Sequence, residues 1–213
     1  MRITGFDRAL LQLKTMTVEL AVAVQDLLNK SIDSIENLGS HENWRFTDHA
    51  IEEKKSQMIN RIYEMMSLRQ LSDQDVQWLM NYQRIAHELE RISGYACDLA
   101  EISDYLPTRS WPAAIRAMMQ ALTAMLADVV AVIKEDQEAV HDMAERDDQL
   151  DQALIRMLRS SRGDDDPALR NDQYAGSDDM ALSLVLAFTM ERAGDHVVNI
   201  AEALVRLEGS SLG

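Results

Sequence analysis

A chain of 213 residues with a formal net charge of −15 is ill suited to hold nucleic acid, an anionic membrane or free phosphate by its own surface, since each would be repelled without an intervening cation. Hydrophobic residues reach 46% and aromatics only 5%, and three prolines and eight glycines leave few obligatory helix breaks. With thirteen methionines and abundant Ala and Leu, the composition favours helix over strand and predicts an all-α protein. Cys97 is the only cysteine, so no intrachain disulfide can form and a reducing compartment is expected. Residues 1–7 lack the apolar core of a signal peptide. The longest apolar runs, 121–133 and 180–190, are shorter than the roughly 20 residues a bilayer crossing takes. A cytoplasmic protein with no direct membrane insertion is therefore expected.

Six segments carry apolar residues three and four apart, the period of an amphipathic helix. The first covers about 6–38 and ends at Gly39. The second begins near Thr47, with Ile51, Met58, Ile59, Ile62 and Met66 on one stripe. The third follows Ser72, an N-cap with Asp75 three residues on, and carries Leu79, Ile85, Leu89, Ile92, Ala96 and Leu99. Pro107 and Pro112 then break the pattern at mid-chain. Further helices are predicted over about 112–138, 142–160 and 178–208. The acidic run 164–166 lacks the alternating ligand spacing of a calcium loop and reads as a solvated tip.

Laying residues 86–101 over 187–202 matches Ala86, Glu90, Arg91, Ala100 and Glu101 with identical residues, and pairs Asp98 with Asn199. In the preceding helices Asp48, Ile51 and Glu52 fall over Asp147, Leu150 and Asp151. With matching helix order and a proline linker between, two tandem, internally repeated three-helix bundles are predicted, divided as 1–107 and 108–213.

The repeated positions are acidic. Asp147 and Asp151 lie four apart on one helical face, where two like charges cost a few tenths of a kcal/mol that a shared cation would reverse. Glu191, Asp195 and Asn199 form an i, i+4, i+8 ladder of oxygen donors, opposite the stripe of Thr189, Ala193, Val197, Ile200 and Leu204. Gly194 inside that helix suits a close helix approach. If the last two helices are neighbours, four carboxylates and an amide converge in a groove. Such an all-oxygen set suits a hard or borderline divalent or trivalent cation: iron, manganese, magnesium or zinc. The plainer reading is a solvated acidic surface neutralised by Arg146 and Arg192. His196 points about 100° from Asp195 and reads as a capping or surface residue. Cys97 reads as a small core residue and the methionines as core filler.

The run Glu191-Arg192-Ala193-Gly194-Asp195-His196, followed by Asn199-Ile200-Ala201, resembles the signature of the PhoU family, and Asp147 to Asp151 resembles its second acidic motif, an E/D-x-x-x-D pair. The resemblance implies two three-helix bundles carrying metal clusters at these motifs, in a cytoplasmic, often dimeric protein. It also implies a non-enzymatic regulator that restrains phosphate uptake and represses phosphate-starvation signalling, with a transporter ATPase and a sensor histidine kinase as partners. The first half departs from the pattern: Ser93 stands where the signature has Gly, and Gly94 where it has Asp. A degenerate site of Asp48, Glu52, Glu90 and Asp98 is the corresponding expectation there, with His87 and Glu101 near the same line. Two alternatives are a helical adaptor without metal and a carboxylate-bridged di-metal enzyme, the latter disfavoured because such a site takes a Glu-x-x-His from each of two helices and the sequence holds a single one, Glu138 to His141.

Overall fold

The computed structural model describes residues 5–37, 44–67, 71–103, 111–134, 142–161 and 177–209. Within them the chain forms α1 (Gly5–Asn37), α2 (Trp44–Met66), α3 (Asp73–Ser103), α4 (Ala113–Ile133), α5 (Met143–Ser161) and α6 (Ser177–Gly209). The predicted boundary at 107, the last residues of the fourth predicted helix and the acidic loop 164–166 lie outside the described residues.

Helix starts follow local chemistry. Ser72 and Asp75 cap α3 reciprocally: the Asp75 amide donates to Ser72 Oγ at 3.1 Å, and the Ser72 amide donates to Asp75 Oδ2 at 2.9 Å. Replacing Ser72 by alanine orphans an amide of the first turn, and a loss of about 1 kcal/mol is expected in chemical denaturation. The second helix begins earlier than its stripe suggests, at Trp44. That indole is 6% exposed, and Cys97 Sγ donates to the Trp44 carbonyl at 3.6 Å, so packing draws one more turn into the helix. Cys97 is itself buried, and burial with the nearby acids Asp48, Asp98 and Glu101 pushes its thiol up to about 12, so it stays protonated and inert.

One continuous core runs through both halves, through Leu20, Leu27 and Ile62 to Leu89, Leu126, Met157 and Met190. Helices α3 and α6 form the most extensive pair, with α1 and α2 packed on α3 and α4 and α5 packed on α6. By length and composition α4 could cross a membrane, contrary to the expectation from the apolar runs alone. Its buried residues, among them Ile115, Met119, Leu122, Leu126 and Val129, face the bundle core.

The register that lays 86–101 over 187–202 also lays Tyr95 over His196. These two rings stack on each other, with centroids 5.5 Å apart and planes at 27°. Equivalent positions meeting face to face are what a two-fold relation between the halves requires at its axis. The acidic motifs then fall on opposite flanks, one between α2 and α3, the other between α5 and α6.

Candidate functional site

Between α5 and α6 the chains approach closely because residue 194 has no side chain. A Cβ there would stand 2.6 Å from Leu150 Cδ1 and 3.2 Å from Asp147 Oδ1. Leu150 is only 1% exposed, so it has no free space to retreat into. The glycine thus brings the Asp147 carboxyl up against α6.

Asp147 is half-buried, and its Oδ1 is a buried oxygen with no hydrogen-bond partner. An unmatched buried acceptor costs about 1–3 kcal/mol, more when charged. Burial first, then the charges of Asp195, Asp151, Glu191 and Asp148, pushes this carboxyl up to about 6. Glu191 is raised for the same reasons, by burial and then by Asp195 and Asp151, with Arg192 opposing. Asp147, Asp151, Glu191 and Asp195 are therefore close enough to repel one another. Arg146 does not relieve them, because it is turned to α4, where its guanidinium pairs with Asp128, and to Asp142 at 3.1 Å. Among the described residues no three acidic, His or Cys side chains already converge in ligating geometry. The donor chemistry nevertheless fits a cation: an orphaned buried oxygen with three further carboxylates within electrostatic reach.

Asn199 does not join this group. Its Oδ1 accepts from Arg84 at 2.9 Å, and its Nδ2 donates to Glu88 Oε2 at 3.4 Å, both on α3. Eight residues along a helix rotate the side chain by about 80°, enough to carry the last rung of the ladder from α5 round to α3. His196 lies on that same side. It is neither a cap nor a surface residue, since its Nδ1 meets Glu88 Oε2 at 2.5 Å and its ring packs on Tyr95, leaving the side chain 23% exposed. Arg84, Glu88, His196 and Asn199 thus brace the two halves across α3 and α6. Sequence spacing gave no sign of a bracing role for Arg84 or Glu88, whose partners on α6 are more than 100 residues away.

In the first half the expected residues separate. Asp48 Oδ1 accepts the Ser93 hydroxyl at 2.8 Å. Glu90 lies 3.8 Å from Lys55 Nζ, whereas Glu52 is well exposed beside His49 at 3.7 Å. Asp98 sits on the exposed side of α3, its carboxyl raised by burial and by Glu101 and Asp48.

The PhoU domain family model matches residues 17–103, the stretch that holds most of α1 and all of α2 and α3. Residues 17–103 are similar to a PhoU domain. Along 95% of its length the chain is 23% identical to the phosphate-specific transport system accessory protein PhoU homolog 1 of Thermotoga maritima, covering 88% of that protein. Two crystal structures share the fold. PhoU from Pseudomonas aeruginosa superposes with a TM-score of 0.82 at 18% identity, over 96% of this chain and 99% of that one. The phosphate transport system regulatory protein PhoU from Streptococcus pneumoniae gives 0.79 at 22% identity, over 96% and 97%. The PhoU fold therefore extends through α4, α5 and α6, beyond the matched domain, and includes the helix that carries the Glu191–Asp195 motif.

Proposed function

We propose that this chain is a metal-binding regulator of phosphate uptake and phosphate-starvation signalling, acting by contact with a transporter ATPase and a sensor histidine kinase and not by catalysis. The observation that carries the metal reading is the partnerless buried Oδ1 of Asp147 amid three further carboxylates. Asp147, Asp151, Glu191 and Asp195 would hold the ion, which would supply the positive charge that the site's own side chains lack. Iron, manganese, magnesium and zinc are all compatible with carboxylate donors. A cation would also moderate a net charge of −15, which otherwise hinders contact with phosphate or any acidic partner surface.

The resemblance to PhoU proteins supports the regulatory role, the cytoplasmic setting and a homodimer. Pull-down of the purified protein with the ATPase and kinase of its own cell, in metal-supplied and chelated buffer, tests the partners. Retention that weakens with salt and with chelation is expected; no association with either in any buffer would contradict the assignment. A second reading, an adaptor without metal, draws on the absence of a preformed three-ligand cluster among the described residues. It requires a bound fraction unchanged by chelation.

A further inference from the structure

The two flanks of the molecule answer the same electrostatic problem differently. In the C-terminal half, Asp147 Oδ1 is buried without a partner, and Gly194 contributes only backbone where α6 faces it. In the N-terminal half the equivalent oxygen, Asp48 Oδ1, is occupied by the hydroxyl of Ser93, the residue standing at the position of Gly194. The register that lays Asp48 over Asp147 lays Lys55 over Leu154, a residue of the apolar core. Lys55 is 17% exposed, and its ammonium lies 3.8 Å from Glu90, the counterpart of Glu191. Finally, Gly94 replaces the carboxylate that Asp195 provides, and Glu52 turns outward to His49.

Four substitutions of position or partner therefore act in one direction: a donor hydroxyl, an internal cation, a missing acid and an acid withdrawn. We infer that the N-terminal half has exchanged its metal site for an internal one, with Ser93 and Lys55 supplying the hydrogen bond and positive charge that a cation would supply between α5 and α6. The chain is then a one-site protein whose first flank is permanently closed and independent of metal supply. A bound ion at Asp48 would have to displace the Ser93 hydroxyl and share Glu90 with an ammonium group, and both oppose it. This inference rests on the proposed site at Asp147.

Metal content per chain, measured after saturation with manganese or iron(II) and desalting, separates the possibilities. The wild type is expected to retain metal, Asp48→Asn to retain the wild-type amount, and Asp147→Asn to lose essentially all of it. A drop to about half in Asp48→Asn, or about half remaining in Asp147→Asn, would overturn the one-site inference and leave the C-terminal site standing. No metal on the wild type would overturn both. A gain-of-site variant adds an independent arm: Lys55→Leu with Ser93→Gly and Gly94→Asp should raise the metal content about twofold. Circular dichroism confirms that each variant is folded, and a folded triple variant holding no more metal than wild type would contradict the inference.

Discussion

Replacing Asp147 by asparagine is expected to stabilise the metal-free protein at neutral pH while removing its response to metal. Folding raises this carboxyl from about 3.8 to about 6, chiefly by burial and then by Asp195, Asp151 and Glu191. Below pH 3.8 both folded and unfolded chains hold the proton, and the group is neutral in the balance. As the pH rises toward 6 the unfolded chain gives up its proton while the folded one retains it, so stability falls through that window. Above 6 the full penalty is present. Two pH units correspond to about 3 kcal/mol, which solvent screening of a half-buried carboxyl reduces to about 1–2. In thermal denaturation of chelated protein at pH 7.5, Asp147→Asn should therefore melt higher by about 2–8 °C. Near pH 3.8 the two should converge. Adding metal at a hundred times its dissociation constant stabilises wild type by about 2.7 kcal/mol and leaves the variant unmoved, so the order of the two inverts. A variant less stable than wild type in chelator at pH 7.5 would contradict this assignment of strain.

The second large effect concerns the two glycines that sit one position apart in the repeat. Gly194→Val places a branched carbon where Leu150 Cδ1 stands 2.6 Å away and Asp147 Oδ1 3.2 Å away. Leu150 is held by the core, so α5 must shift from α6, and overpacking of this kind costs roughly 3 kcal/mol. The melting temperature should fall by about 6–12 °C, and metal binding should be lost with the displaced carboxyl. Gly94→Ala is expected to do the opposite. A Cβ at residue 94 meets nothing within 4 Å, and alanine inside a helix is favoured over glycine by up to about 1 kcal/mol. Thermal melts of the pair distinguish a glycine required for contact from one that is merely present; equal effects would remove the special role of Gly194.

The helices were legible because their causes are local. Apolar spacing, the Ser72–Asp75 cap and the proline break each act within a few residues. The pairing of Asp147 and Asp151 with Glu191 and Asp195 was also legible, since four-residue spacing fixes a face and repetition marks it. Asn199 and His196 were not, because their environment is set by α3, whose approach angle no spacing encodes. Lys55 was missed for a related reason: on α2 it reads as an ordinary solvated lysine, and only the packing of α2 on α3 carries it to Glu90. Laying it over Leu154 in the repeat would have flagged a charge facing an apolar position.

Anomalous diffraction from crystals of the protein soaked in manganese tests the shared cation most directly. A peak between Asp147 and Asp151 on α5 and Glu191 and Asp195 on α6, with none beside Asp48, is the expected result. An empty map there, with an ordered water satisfying Asp147 Oδ1, would contradict a metal centre in this protein.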